Sequence, residues 1–177
     1  MTKEQKNENL VRINKTSIKK SLLLEIAWEV LNQVGGIYTV IRSKAPTATA
    51  RWGNNYCLVG PYIEHNVVAE FEPIEKSTDP VFKAIQKFKE IGLEAHYGHW
   101  LVSGRPKVVL MDLNSIRPKL GEIKYYLWEQ HGISSPDNDF LLNDVIAFGE
   151  MVRLFIAILS NKEVNDKHVI AHFHEWM

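Results

Sequence analysis

Apolar residues occur along most of the chain either in short continuous runs or at helical spacing. The continuous runs, bounded by glycine, proline or polar residues, predict buried strands at residues 22–28, 56–60, 67–71, 95–102, 107–113 and 167–176. Apolar positions three and four apart predict helices that begin near residues 36, 80, 115 and 140. Because strands alternate with helices, we expect an α/β fold with a largely parallel sheet.

Proline and aspartate mark several of the predicted helix ends. Asp79 is expected to be an N-cap with Pro80 at the first helical position, and Pro46 is expected to end or kink the first helix. The last predicted strand runs almost to the end of the sequence, where a crossover helix normally follows in such a sheet. We therefore expect residues 21–177 to be an incomplete domain of a longer polypeptide, preceded by a flexible polar leader at 1–20.

Composition and charge limit the classes of function. The 177 residues suit one domain or a little more, and 21 Lys plus Arg balance 21 Asp plus Glu, so nucleic acid is not an expected partner. No apolar run is long enough for a membrane span, and the N-terminus lacks the apolar core of a signal peptide. The single cysteine, Cys57, excludes an internal disulfide and a four-cysteine zinc site. These features predict a cytoplasmic protein without membrane contact.

A glycine pair between the first strand and the first helix is the first candidate for ligand binding. Gly35 and Gly36 would let a ligand approach the backbone closely. The helix that follows would offer free N–H groups to a phosphate. The alternative is a plain tight turn between strand and helix. GxGxxG and GxxxxGK[ST] are both missing here, which argues against a dehydrogenase and against a P-loop nucleotidase.

Two histidines near the end of the last strand are the second candidate. His172 and His174 are two residues apart, so on a strand they point to the same face. They could be two metal ligands, hydrogen-bonding groups at the carboxyl end of the strand, or satisfied structural histidines. A zinc site needs further ligands, and Cys57 lies on another strand. His96 and His99 could supplement the pair, but nothing in the sequence brings them to the same place.

Aromatic residues are the third candidate, because exposed rings stack on sugars and on bases. Most aromatic side chains in a domain of this size belong to the core. Tyr125 and Trp128, on one predicted helix, are the expected exposed pair. The whole set is Trp52, Tyr56, Tyr62, Tyr97, Trp100, Tyr125, Tyr126 and Trp128.

Five sequence blocks together resemble a known family. In order along the chain they are EIAWEVLNQVGGIYTVIRSKA, WGNNYCLVGPY, VVLMDL, NDVIAFGEM and HVIAHFHEW. This succession resembles the N-terminal region of glycogen synthases of the animal and fungal type. The similarity extends from about Leu22 to Met177, and VGGIYTV and AHFHEW are its most specific parts.

The resemblance implies a retaining glycosyltransferase with two Rossmann-like, doubly wound domains that face each other across a cleft, the GT-B arrangement. Such an enzyme moves glucose from UDP-glucose to the non-reducing end of an α-1,4-glucan, without a metal or another cofactor. This chain would be most of the N-terminal domain, and the absent C-terminal domain would be its partner in the site. By resemblance, Gly35 and Gly36 lie against the donor, and His174, or else His172, contacts the donor glucose. A homo-oligomer is compatible with the resemblance.

One position departs from the pattern of the family. The family commonly carries lysine or arginine just before VGG, and here that residue is Gln33, which cannot neutralise a phosphate. Arg42 and Lys44 lie nearby in sequence and could compensate. The rival hypotheses are another sugar-nucleotide transferase of the same architecture, a glucan-binding or interaction module without chemistry, and a metal-dependent hydrolase built on His172 and His174.

Overall fold

A six-stranded sheet organises the protein. The computed structural model describes residues 18–174, so the predicted leader lies outside the described residues except at 18–20. The strands are β1 (Ser21–Ile26), β2 (Tyr56–Pro61), β3 (Phe71–Pro73), β4 (Glu94–Trp100), β5 (Lys107–Asp112) and β6 (His168–Phe173). Their order in the sheet is β3-β4-β5-β2-β1-β6. The strands β6, β1, β2 and β5 are parallel, whereas β4 is antiparallel to both neighbours.

Helices cover both faces of this sheet. They are α1 (Gly36–Trp52), α2 (Glu64–Glu70), α3 (Pro80–Glu90), α4 (Leu120–His131) and α5 (Phe140–Leu159). The buried side chains of α1 and α2 share one core cluster, and those of α3 and α5 share the other. The prediction of an α/β fold with a mostly parallel, doubly wound sheet is confirmed. Among the helices that the structure describes, none combines the length and the apolar character needed to cross a bilayer.

The first strand shows why the strands appear as continuous apolar runs in the sequence. Leu22 and Leu24 point into the core beneath α3 and α5, while Leu23 points towards the α1 face. Because helices cover both faces, both sets of alternating side chains are apolar. Glu25 lies on the α1 face and is only 1% exposed, so this strand buries a carboxyl group as well.

Two helices begin where the sequence predicts, each with an aspartate cap. The Asp79 carboxylate accepts a hydrogen bond from the Phe82 amide at 2.9 Å, and Pro80 is the first residue of α3. The Asp139 carboxylate accepts from the Leu142 amide at 2.9 Å in the same way, at the start of α5.

Two parts of the predicted structure differ from the observed one: the strand at residues 67–71 and the helix end at Pro46. Residues 67–71 were expected to form a strand, but α2 covers Glu64–Glu70 and only Phe71–Pro73 joins the sheet. The first helix does not end at Pro46 but continues to Trp52. The turn at Gly104 packs directly against the backbone of Pro46, and this tertiary packing outweighs the cost of a proline inside the helix.

The amphipathic helix that was expected to begin at Ser115 starts later. Two 3₁₀ turns, at Leu113–Ser115 and Arg117–Lys119, come first. The second turn contains Pro118, and α4 begins after it at Leu120. Proline is tolerated at the start of such a turn, where its missing N–H has no partner to lose.

Candidate functional site

The carboxyl ends of β1 and β6 bring the predicted histidines next to a buried glutamate. In the parallel pairing of the two strands, Glu25 lies beside His172. The ladder continues one residue beyond β6, because the His174 amide donates to the Ile26 carbonyl at 3.1 Å. Both histidines therefore lie at the edge of the sheet where open α/β folds bind their ligands.

Glu25 is the centre of a four-residue network at this edge. Its Oε1 atom is 2.6 Å from Nε2 of His174 and 2.5 Å from Nζ of Lys44. The Tyr56 hydroxyl donates to Oε2 at 2.5 Å. The network joins β1, α1, β2 and the segment after β6, so it ties the histidine to the helix that follows the glycine pair.

The charge of this carboxylate is stabilised by its partners. Burial alone would raise the pKa of Glu25, but the hydrogen bonds from Lys44, Tyr56 and His174 hold it below its ordinary value. Burial, together with the neighbouring Glu25 carboxylate, raises the pKa of Tyr56. Glu25 is therefore an ionised acceptor and Tyr56 a protonated donor.

The same residues include a possible metal-ligand set. One ligand atom each from Glu25, His172 and His174 lies within 4.8 Å of the others. Glu25 is therefore a candidate for the third ligand that a zinc site at His172 and His174 would need. However, the ammonium of Lys44 is already in contact with Oε1, and the Tyr56 hydroxyl with Oε2, so each carboxylate oxygen already has a partner in the protein. The carboxylate is thus charge-compensated by the protein itself.

A small cavity is lined in part by His174. It has a volume of about 110 Å³, and its lining residues include Ile26, Trp28, Phe148, Phe173 and His174. The walls are mostly apolar, and His174 is the ionisable side chain among them. The charged part of this edge is thus the network around Glu25.

A second buried glutamate holds the glycine loop. Oε2 of Glu29 accepts hydrogen bonds from the amides of Gly35 at 2.7 Å and Tyr38 at 3.0 Å. Glu29 is only 2% exposed. Two of the amides at the start of α1, where the sequence predicts a phosphate, are therefore already bonded to the Glu29 carboxylate. A phosphate bound there must use other amides or displace Glu29.

The other predicted donor-binding residues differ in how freely they can meet a ligand. A Cβ atom at Gly36 would meet nothing within 4 Å, so the loop is open on that side. Gln33 is exposed beside it. Arg42 is exposed, and its guanidinium donates to the Tyr38 hydroxyl at 3.2 Å. Lys44 is bound to Glu25, so it is the less available of the two cations proposed to compensate for Gln33.

The remaining candidates do not join this edge cluster. His96 stacks on Tyr62 with ring centroids 4.1 Å apart, and burial lowers its pKa. The ring of His99 is bound to the Arg105 carbonyl through Nδ1, at 3.0 Å. Cys57 is fully buried and its pKa is raised by burial, which agrees with inert packing.

The aromatic set divides only partly as expected, because three of its eight members are buried and Tyr126, 57% exposed, joins the predicted exposed pair. Tyr56, Tyr97 and Trp100 are buried in the core. Tyr125 and Trp128 are each 58% exposed on α4, with ring centroids 6.1 Å apart, so the predicted exposed pair is confirmed.

Glu25 and Glu29, the two buried carboxylates at this edge, are not among the residues that the sequence pattern predicts for the site. In the sequence, both appear only as interruptions of the apolar run LLLEIAWEV. The signal was nevertheless there, because a charge inside a buried strand must find a partner. Its partners could not be read from the sequence, since Lys44 and His174 lie 19 and 149 residues away from Glu25.

These observations define the class of the protein: a doubly wound α/β domain with a charged network at the carboxyl ends of its parallel strands. Comparison with known proteins then gives the family. A family model described as glycogen synthase matches residues 25–177. The chain is 45% identical over 163 residues to the liver glycogen [starch] synthase of Rattus norvegicus. It is 41% identical over 160 residues to glycogen [starch] synthase of Neurospora crassa and 38% over 169 to isoform 1 of Saccharomyces cerevisiae.

Each of these alignments covers 90% of this chain. The chain belongs to the glycogen synthase family. It spans 22% of the length of the rat and Neurospora proteins and 24% of the yeast protein.

Proposed function

We propose that this chain is the N-terminal part of a retaining GT-B glucosyltransferase that transfers glucose from UDP-glucose to the non-reducing end of an α-1,4-glucan. Family membership supports the reaction class. The observation that carries the proposal is the His174 side chain, held by Glu25 at the ligand edge of the sheet. In the proposal, His174 contacts the donor glucose, and the more exposed His172 is its neighbour at a ring distance of 4.9 Å.

The donor site needs a second wall. In the proposal, the described residues provide one edge of a cleft, with the glycine loop on one side and the histidines on the other. In the proposal, the remainder of the protein supplies the second Rossmann-like domain and the cations that balance the leaving UDP. Preorganised polar groups on both walls would stabilise the positive charge that develops on the sugar, and exclusion of water would strengthen them.

No metal is needed in this proposal, because Lys44 already balances the buried carboxylate beside the histidines. The balanced total charge, with 21 basic and 21 acidic residues, also gives no general attraction to nucleic acid. A cytoplasmic location and assembly into a homo-oligomer belong to the proposal as properties of the whole protein.

Glucosyl transfer by the full-length protein tests the proposal. Glycogen is incubated with UDP-glucose, ADP-glucose and GDP-glucose in parallel, and nucleotide release and the anomeric configuration of the new linkage are followed by NMR. We expect release from UDP-glucose with a new α-1,4 linkage. Turnover with only another sugar nucleotide would support the rival transferase. Binding to glycogen without any turnover would support the non-catalytic module.

The 177-residue chain alone should show no transfer above the rate without protein. A site divided between two domains loses the effective molarity that comes from holding both reactants together. Turnover by this chain alone would contradict the divided site.

A further inference from the structure

The Glu25 carboxylate occupies a position where packing alone would favour an apolar side chain. Its neighbours on the same face of the sheet, Leu23 and Leu58, belong to the apolar core under α1. Burying a charge there is costly unless its hydrogen bonds and its charge are satisfied. Three partners, from α1, β2 and the segment after β6, satisfy them. A carboxylate that is costly to bury and lies at the carboxyl ends of the parallel strands suggests a functional role.

The contact between Glu25 and His174 fixes the hydrogen-bonding role of the imidazole. An ionised carboxylate can only accept hydrogen bonds, so Nε2 of His174, at 2.6 Å from Oε1, must carry the proton. In a neutral imidazole, the other nitrogen, Nδ1, is then an acceptor. Lys44 contacts the same oxygen and balances its charge.

We propose that Glu25 is a positioning residue that presents Nδ1 of His174 as a hydrogen-bond acceptor for a hydroxyl group of the donor sugar. Lys44 and Tyr56 hold the carboxylate in place for this task. The inference rests on the proposed function, and it adds the direction of the hydrogen bond and the residue that sets it. It predicts selectivity for donor sugars that have a hydroxyl group at the contacted position.

The direction of the bond is tested with modified donors. Monodeoxy and monodeoxyfluoro UDP-glucoses are compared with UDP-glucose, using the full-length wild-type protein and its His174→Ala variant. Fluorine accepts hydrogen bonds weakly and cannot donate them. If His174 accepts, both replacements at one position should lower kcat/KM by about tenfold or more, the value of one buried hydrogen bond. The penalty should disappear in His174→Ala.

Two outcomes would overturn this direction. If the fluoro donor kept most of the activity that the deoxy donor loses, His174 would be donating rather than accepting. If no position showed a penalty that depends on His174, the contact itself would be absent. The inductive effect of fluorine cancels, because it acts equally in the wild type and the variant.

A double-mutant cycle tests the role of Glu25. Glu25→Gln keeps an oxygen acceptor for Nε2, and Glu25→Leu removes it while filling a similar volume. We expect Glu25→Gln to stay within about tenfold of wild-type kcat/KM, and Glu25→Leu to lose as much as His174→Ala. In the His174→Ala background, Glu25→Leu should cost nothing more in kcat/KM. An equal further loss in that background would show that Glu25 acts independently of the histidine and would refute the proposal.

Asp79→Asn is the matched control, because Asp79 is also bonded to a lysine and a tyrosine but lies away from this edge. If Glu25→Leu does not fold, Lys44→Met replaces that variant in the cycle. Lys44→Met removes the lysine contact to Oε1, and the Lys44 side chain is partly exposed, so the substitution disturbs the core less. A Lys44→Met loss that persists unchanged without His174 would also refute the positioning role. Absence of transfer in the wild-type protein would refute the proposed function instead, so the two failures are distinguishable.

Discussion

Two carboxylates, Glu25 and Asp79, have nearly the same partners but lie on opposite faces of the sheet. Glu25 is bonded to Lys44 and Tyr56 under α1, at 2.5 Å each. Asp79 is bonded to Lys107 at 3.0 Å and to Tyr97 at 2.8 Å, beside the antiparallel pair β4–β5. In both cases burial would raise the pKa of the carboxyl, and the hydrogen bonds lower it below its ordinary value.

The difference lies in the remaining bonds. Asp79 uses them locally, accepting from the Ser77 hydroxyl at 2.8 Å and from the Phe82 amide, so it caps the helix that starts beside it. Glu25 uses its remaining bond for His174, 149 positions along the chain. A buried carboxylate with lysine and tyrosine partners is therefore not in itself a sign of a ligand site. What distinguishes Glu25 is its bond to a side chain at the carboxyl ends of the parallel strands, the place where open α/β sheets bind ligands.

The largest expected effect on stability is at Asp79. Asp79→Ala removes an N-cap and leaves Lys107, whose side chain is only 14% exposed, without its counter-charge. We expect the free energy of unfolding to fall by about 3 kcal/mol, measured by urea denaturation. The matched control is Asp139→Ala, which removes a cap only and should cost about 1 kcal/mol. Equal losses in the two variants would mean that the Lys107 and Tyr97 bonds contribute nothing.

The pH dependence of unfolding should involve both carboxylates. Because their folded pKa values lie below the unfolded values of about 4.3 for glutamate and 3.9 for aspartate, their stabilisation is complete above those values. It is lost as the pH falls through the folded pKa values. The wild-type protein should therefore lose stability from about pH 5 downwards. Glu25→Gln and Asp79→Asn should each flatten that decline, and a decline as steep as in the wild type in either variant would contradict the paired state of that carboxylate.

A smaller effect is expected on the affinity for UDP-glucose when Gln33 is replaced. Because Lys44 is bound to Glu25, a cation introduced by Gln33→Lys is the simplest way to add positive charge at the exposed side of the glycine loop. Affinity for UDP-glucose in the full-length protein should rise by about tenfold at most, and the gain should shrink as salt is added. Gln33→Met is the neutral control. An unchanged affinity at every ionic strength would mean that the diphosphate does not bind at this loop. That result would agree with the Glu29 carboxylate, which already accepts hydrogen bonds from the amides of the loop.

The smallest expected effect is that of zinc, which should not bind at the Glu25 network because Lys44 is bound there. Elemental analysis of protein purified without chelator should show no stoichiometric zinc. A tightly held zinc ion that is lost in a His172→Ala, His174→Ala double variant would show that Lys44 does not exclude a metal from Glu25, and it would support the hydrolase hypothesis.

Most of the fold could be predicted because it depends on local patterns. The continuous apolar runs of β1 and β2 and the Asp79-Pro80 start of α3 carry their own signals. The short helix α2 could not be predicted in this way, because the residues VVAEF fit either a strand or a single buried helix face. Its burial of Val67 against the α1 side of the sheet decides for the helix.

The candidate site was predictable only in part. The placement of His172 and His174 follows from strand periodicity and from the general location of ligands in open sheets. Glu29 illustrates the limit: the glycine pair marked an anion site, but the anion nearest to it is a side chain of the protein, six residues before Gly35. Which partner fills a helix N-terminus depends on the path of the loop in three dimensions, and the sequence pattern does not describe that path.

The most direct test of the account is kcat/KM for UDP-glucose of full-length His174→Ala and Asp79→Asn, measured side by side at a temperature where both remain folded. We predict that His174→Ala lowers kcat/KM by about 100-fold or more, as for loss of a group that stabilises a transition state. The unfolding midpoint should fall by less than in Asp79→Asn, because Lys44 and Tyr56 still hold the Glu25 carboxylate. Asp79→Asn should lower the midpoint and leave kcat/KM within about twofold of wild type. An unchanged kcat/KM in His174→Ala, or an equal loss of kcat/KM in both variants, would contradict the proposed role of His174.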